Sequence, residues 1–263
     1  MRPATTSAVN TATPWRHLGG WRLREVWYAP GVAQPRHRHG EPSLSLVLAG
    51  ELEETSSAGS YRAAAGSLVI KPAEHWHANE YGPRGAHLVQ LEMPAELQSR
   101  LPHDYGWHDT SPLVRRVMAL VQERPGSGEA AELALWDALD EVSGDDRDAR
   151  RTPSWWPRAL ELLDDGTTRS ISATEVARTV GVHPVHLARV CRRQLGCTLH
   201  EHLRRRRVLA AWRACERGEE SLAAIAARVG FADQAHMTRA FASVLGISPA
   251  RLKRLVTRVS SEE

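Results

Sequence analysis

The chain has 263 residues, of which 42% are hydrophobic and 25% charged. That balance excludes a wholly disordered or collagen-like chain and, at roughly 100–200 residues per domain, predicts two domains. The net charge of +3 conceals an asymmetry: eighteen Lys+Arg face eleven Asp+Glu from Pro153 onward, against sixteen and twenty before it, so the C-terminal part is the one expected to meet a polyanion. The N-terminal stretch MRPATTSAVNTATPW has no signal-peptide apolar core, and no run approaches the ~18 apolar residues of a membrane span; a cytoplasmic location is expected. Cys191, Cys197 and Cys215 are odd in number and lack CxxC spacing, which argues against both a disulfide framework and a thiolate zinc site.

From Trp21 to Glu92 short apolar runs (SLSLVLAG, SLVIKP, AHLVQLEM) alternate with Gly, Pro and polar turns, the pattern of a β-sandwich or barrel. Within it lies GVAQPRHRHGEPSLSLVLAG, followed by GSLVIKPAEHWHAN. Side chains alternate along an extended segment, so His37, His39 and Glu41 are expected on one face, with His77 arriving from a second strand. Two imidazoles and a carboxylate joined by a third imidazole would suit a divalent transition metal. The same residues could instead supply the polarity of an effector pocket, or be plain turn histidines. His75 and His87 read as neighbours of this group. Trp21, Trp27 and Trp76 are either pocket wall or core. The arrangement resembles the cupin barrel, and specifically the effector-binding half that precedes many DNA-binding domains of one bacterial regulator family. Gly31, His37, His39, Glu41 and Gly50 carry the likeness to the first cupin motif, and Gly66, Pro72 and His77 to the second; Glu74 stands where the second motif commonly has glycine.

Two amphipathic helices are expected next. One runs from Pro112 to Glu123 with Leu113, Val117, Leu120 and Val121 on its stripe, the other from Glu129 to Val142 with Leu133, Leu135, Trp136 and Leu139. Such a hairpin buries its stripe on the barrel or on a second copy of itself, so a homodimer is one expectation. SGDDRDARRTPS reads as a hinge.

The last hundred residues repeat themselves. SATEVARTVGVHPVHLARVCRRQLG begins at Ser172 and SLAAIAARVGFADQAHMTRAFASVLG at Ser221; each opens on a capping serine and reaches a glycine nine positions later before a second helix starts. Leu187, Val190 and Cys191 in one second helix correspond to Met237, Ala240 and Phe241 in the other, a buried stripe at i, i+3, i+4. Two helices joined by a short glycine turn make a helix-turn-helix, whose second helix can enter the DNA major groove. Between the units TLHEHLRRRRVLAAWRACERG reads as one long helix capped by Thr198, around which Arg204 to Arg207 must fan. The polar faces bear Ala188, Arg189, Arg192 and Arg193 in the first unit and Asp233, Gln234, His236 and Arg239 in the second. Arginine can bind guanine bidentately and Gln adenine, while arginines near a helix end more often grip phosphate.

These hundred residues resemble the AraC family of bacterial transcription regulators through GVHPVHLARVCRRQLGCTLHEHLRRRRV and SLAAIAARVGFADQAHMTRAFASVLGISPARLKR, with Gly230, Phe231, Gly246 and Pro249 in the family's pattern. The resemblance implies two helix-turn-helix subdomains on one face of DNA. It places contacts at Val185, Ala188 and Arg189 in the first and at Gln234, Ala235, His236 and Arg239 in the second. Cys191 stands where the family usually has an aromatic residue, and Arg206 where an apolar one is common.

The expected architecture is therefore α+β: a cupin-like β-barrel effector domain over 15–98, a helical linker over 111–143, and an all-α DNA-binding domain with two helix-turn-helix units over 153–258. The expected function is sequence-specific regulation of transcription by a small molecule or metal sensed in the barrel, with double-stranded DNA as partner and RNA polymerase as well if the protein is an activator. No catalytic residues are expected. The alternative is a metal-dependent cupin enzyme fused to a DNA-binding domain, which rests on the histidines alone.

Overall fold

The computed structural model describes residues 10–18, 20–95, 98, 106–108, 112–122, 135, 152–165 and 172–257. They fall into two compact units, Met1–Ser143 together with Arg254–Glu263 as the first and Gly144–Lys253 as the second.

The first unit is built on strands β1 (Thr11–Ala12), β2 (Arg16–Leu18), β3 (Trp21–Tyr28), β4 (Ala33–His37), β5 (Ser43–Ser56), β6 (Gly59–Ala64), β7 (Leu68–Lys71), β8 (His77–Glu92) and β9 (Gly106–His108). They hydrogen-bond in the order β1-β3-β8-β5-β7-β9, with β2 added to β3, β4 to β8 and β6 to β5, and every pair is antiparallel. Burial along β3 alternates and then changes phase: Trp21 and Leu23 are buried on one face, Val26 and Tyr28 on the other, with half-exposed Arg24 and Glu25 at the switch.

SLSLVLAGELEETS is one long strand that continues through Gly50. β5 and β8 pair in two stretches, Ser43 to Gly50 with Glu92 to Ala86 and Leu52 to Ser56 with Tyr81 to His77, separated by irregularities in register. Gly50 has φ 75°, and a Cβ there would lie 2.0 Å from the carbonyl oxygen of Gly85. The bulge thus requires glycine, and on either side of it β5 has a different second partner, β7 along Ser43–Leu46 and β6 along Glu51–Ser56. Residues from β3, β4, β5, β7 and β8 consequently line one cavity, around which the sheet curls.

Helix α1 (Pro112–Gln122) follows, and buries Leu113, Val114, Val117, Met118 and Leu120. Arg16 Nη1 donates to the Leu120 carbonyl at 3.2 Å, tying the helix to β2. Its apolar stripe is therefore covered within the chain. The helix expected from Glu129 to Val142 and the charged hinge lie outside the described residues, apart from Leu135 and 152–154.

The second unit contains α2 (Trp156–Asp165), α3 (Ala173–Thr179), α4 (Pro184–Leu195), α5 (Leu199–Arg217), α6 (Leu222–Arg228), α7 (Gln234–Leu245) and, as far as Lys253, α8 (Pro249–Thr257). Local chemistry sets the boundaries. Ser172 and Thr198 form reciprocal capping boxes with Glu175 and Glu201, and Gly196, Gly218 and Gly246 end their helices in the left-handed conformation. Trp156, Ala159 and Leu163 of α2 join Val176, Ala177, Leu187, Val190, Cys191, Leu199 and Leu203 in one core. Along α5, burial moves on through Val208, Ala211, Trp212 and Cys215.

Candidate nucleic-acid interface and effector site

α3 with α4, and α6 with α7, are the two helix-turn-helix units. Their second helices are equivalent at an offset of fifty residues: Leu187, Val190 and Cys191 are buried, as are Met237, Ala240 and Phe241. The turns differ by one residue, four positions (180–183) against five (229–233). Each second helix is capped from the turn. His183 Nδ1 accepts from the Val185 backbone N–H at 3.3 Å, and Asp233 Oδ1 from that of His236 at 2.6 Å. All nine residues expected to meet DNA, namely Val185, Ala188, Arg189, Arg192, Arg193, Gln234, Ala235, His236 and Arg239, are exposed on the side opposite the buried stripe. Val185, 60% exposed, is one of two large hydrophobic residues left open among those described. Arg189 and Arg239 occupy the same position, sixth in their helices.

The fifty-residue equivalence also pairs His186 with His236, and His186 was not expected from the sequence. Both are exposed and both rest on an aromatic ring, His186 on Trp155 at 5.5 Å between centroids and His236 on Phe231 at 5.2 Å. Aligning the two copies residue by residue would have found it. Arg204 to Arg207 are all half-buried, as their fanning around α5 requires.

In the first unit His37, His39 and His77 come together, with ligand-capable nitrogens within 4.8 Å of one another. Glu41 is absent from this group. β4 ends at His37 and the chain bends at Gly40 and Glu41, so the extended alternation that would have aligned Glu41 with the histidines stops short of it. His77 is the register partner of His37, which accounts for their meeting. His37 Nδ1 lies 2.8 Å from the Pro35 carbonyl oxygen and His77 Nδ1 lies 3.1 Å from that of His75. A carbonyl only accepts, so each Nδ1 carries a proton, which in a neutral ring leaves Nε2 as the acceptor. The buried His77 Nε2 has no hydrogen-bond partner among the described residues. Burial first, and then the Lys71 charge, push His39 down to about 4 and His77 down to about 3, so both rings are neutral at physiological pH. Clustered imidazoles, two of them oriented by carbonyls at Nδ1, are a donor set a divalent transition metal takes, and these three residues could hold one.

His37 and His39 line a cavity of about 110 Å³ whose walls are mainly polar side chains, and His77 stands behind them in the cluster. Glu54 and Lys71 form an ion pair at 1% and 8% side-chain exposure. Gln34 Oε1 accepts from Asn79 Nδ2 at 3.1 Å and from the Tyr81 hydroxyl at 2.7 Å, while Arg24 Nε donates to Gln90 Oε1 at 2.8 Å. The aromatic wall is Tyr28 stacked on Tyr81, 3.9 Å between centroids. None of the three tryptophans considered from the sequence lines this cavity: Trp21 is core, Trp27 stacks on His87, and Trp76 lies 40% exposed under Arg36 and Arg38. His87 bonds to Glu25 at 2.9 Å, away from the cluster. Of the polar lining beyond His37 and His39, only Lys71 left a trace in the sequence, as a cation closing the apolar run SLVIK.

A model of an AraC-like ligand-binding domain matches residues 23–151, and a helix-turn-helix domain model matches 176–255. The probable transcription factor PqrA of Proteus vulgaris is 34% identical over 83 residues, which are 32% of this chain and 68% of that protein. The chain belongs to the AraC family of transcription regulators. A second AraC-type relative, the transcriptional regulator GlxA of Rhizobium meliloti, is 30% identical over 144 residues, 52% of this chain; the match spans 44% of the length of that relative. The structure of ToxT from Vibrio cholerae matches across 91% of this chain and all of its own, with 12% identity and a TM-score of 0.40. AraC-family proteins and these sequence relatives regulate transcription, so the reading as a metal-dependent enzyme is not supported. The two departures from the AraC pattern are accommodated locally. Cys191 is fully buried in the α4 core, with its thiol pushed up to about 12 by burial, and Arg206 keeps its head at a half-buried site on α5. Among the described residues no helix is long and apolar enough to cross a membrane.

Proposed function

We propose that this protein is a sequence-specific DNA-binding regulator of transcription whose N-terminal sheet domain receives a small effector. The observation that carries this reading is the matched exposure of Arg189 and Arg239 on two helices whose opposite faces are buried in the same register. Arg189, Arg239, Gln234 and His236 read base edges, with Val185, Ala188 and Ala235 giving methyl and shape contacts and Arg192, Arg193 and His186 facing phosphate. The proposed limits are 15–98 for the effector domain, 111–143 for the helical linker and 153–258 for the DNA-binding domain; we place the protein in the cytoplasm, as a homodimer, with RNA polymerase as a further partner where it activates. Mobility-shift titration on a footprinted promoter fragment tests the reading. Binding should fall steeply with salt, and a salt-insensitive, sequence-indifferent shift would refute it.

His37, His39 and His77 hold a divalent transition metal in this proposal, and the ion supplies a Lewis-acidic anchor for an effector oxygen. Support comes from the two Nδ1–carbonyl contacts and the partnerless His77 Nε2. Effector binding alters DNA affinity only through unequal affinity for two arrangements of the protein.

A further inference from the structure

The cavity beside the three histidines has a charge pattern that selects its occupant. Lys71 is buried and matched one to one by Glu54, so that pair is neutral as a unit. Arg24 adds a guanidinium held toward the cavity by Gln90 on one side and the Trp15 ring, 4.3 Å from its Cζ, on the other. No carboxylate joins the histidine cluster, because Glu41 lies past the bend. A divalent ion on the three imidazoles would therefore stand next to an arginine that has no carboxylate partner among the described residues, with at least one coordination position open. Buried charge of one sign is costly unless a counter-charge accompanies it. The cavity itself demands an anion once the ion is present.

Two further features narrow the class. At about 110 Å³ the space is well below the ~300–1,000 Å³ of sites for drug-sized ligands, which limits the occupant to a few heavy atoms. Asn79 is only 5% exposed, gives its Nδ2 to Gln34, and has an Oδ1 with no donor among the described residues. An orphaned buried acceptor calls for a hydroxyl on the ligand.

We infer that the cavity binds a small hydroxycarboxylate, whose carboxylate closes the coordination sphere of the ion and faces Arg24 and Lys71 while its hydroxyl donates to Asn79 Oδ1. This rests on the metal reading above. No bond is made or broken; the event is ligand exchange at the ion.

The test uses full-length untagged protein, chelator-stripped or reloaded with Zn²⁺, titrated calorimetrically with lactate, propionate and lactamide, and in parallel the Co²⁺-loaded protein followed by its visible spectrum. Lactate should bind the loaded protein at least tenfold more tightly than the stripped protein and than lactamide, and should perturb the Co²⁺ bands. Arg24→Gln should weaken lactate about tenfold with Zn²⁺ affinity unchanged, and Asn79→Ala should erase the preference for lactate over propionate. If Zn²⁺ binds stoichiometrically through the histidines but lactate and lactamide are indistinguishable, the ligand class is wrong and the metal reading stands. If Zn²⁺ itself fails to bind, both fall together.

Discussion

His37 and His77 face each other across the β4–β8 ladder as register partners, their ring centroids 4.4 Å apart, and each rests its Nδ1 on the carbonyl two residues before it. The ladder fixes the separation and the carbonyls fix the tautomer, so the site is assembled before anything enters it. Elemental analysis after Zn²⁺ loading and desalting should give close to one equivalent for the unaltered protein and under about a tenth for His77→Ala and for His37→Ala. Glu41→Gln should match the unaltered protein. Loss of metal in Glu41→Gln would put that carboxylate back among the ligands.

The equivalence of α4 and α7 predicts paired effects on DNA. Arg189→Ala and Arg239→Ala should each cost about 1–3 kcal/mol of operator affinity and relax base preference at a different position of the footprint. His186→Ala, as a phosphate contact, should weaken binding across all sequences alike. Unaltered affinity in both arginine variants would show that these faces do not read the operator.

Thr198 opens the long helix α5 by accepting from the Glu201 backbone N–H at 3.2 Å, while the Glu201 carboxylate accepts from the Thr198 N–H at 2.8 Å. Thr198→Ala should lower unfolding free energy by about 1 kcal/mol, and Thr198→Ser by a few tenths, measured as urea midpoints at constant slope. Equal effects of the two would mean that the methyl group, not the hydroxyl, carries the stabilisation.

His202, buried on α5, is pushed from 6.5 down to about 4 by burial and then by Arg206 and Arg205. Its folded-state value is depressed, so its contribution is fully present above pH 6.5 and drains away as pH falls toward 4, where the unfolded chain takes up a proton that the folded one refuses. The linkage is worth roughly 3 kcal/mol at 1.36 kcal/mol per unit. Urea unfolding at pH 7 and pH 4 should therefore show the unaltered protein losing about that much relative to His202→Leu. A constant difference between the two proteins across this range would contradict the assignment.

Glu54 and Lys71 are a buried pair, which predicts an asymmetry between single and double substitution. Glu54→Leu or Lys71→Met alone should destabilise by about 3–5 kcal/mol because each strands a buried charge, whereas the double variant should recover most of that loss. Thermal unfolding of all three reads it directly, and additive losses would mean the two side chains do not interact.

The helical half was legible because its information is local. Capping residues, the glycine after nine positions and the i, i+3, i+4 stripe all lie within one helix-turn-helix, so α3, α4, α6 and α7 follow from residues close in sequence. The sheet domain yielded its strands and His37, His39 and His77, but Glu41 went astray because one bend ends the alternation that placed it. The cavity floor was out of reach for a different reason: Lys71 meets Glu54, and Gln34 meets Asn79, only through pairings set by the Gly50 bulge and the return of β8. Glu74 explains one irregularity after the fact. It has φ 61°, so the motif position usually held by glycine does take the left-handed backbone here, with a glutamate that pairs with Arg38 at 2.7 Å.

Helix α5 runs for 19 residues without glycine or proline, about 28 Å at 1.5 Å per residue, from the end of one helix-turn-helix to the start of the next. A rod of that length cannot stretch to suit its target. On a duplex that repeats every ~34 Å, and with both units reading DNA as proposed, it would act as a yardstick between the two half-elements of an operator. Base changes within either half-element would then be graded in their effect, whereas five extra base pairs between them would move one element out of phase and silence the site.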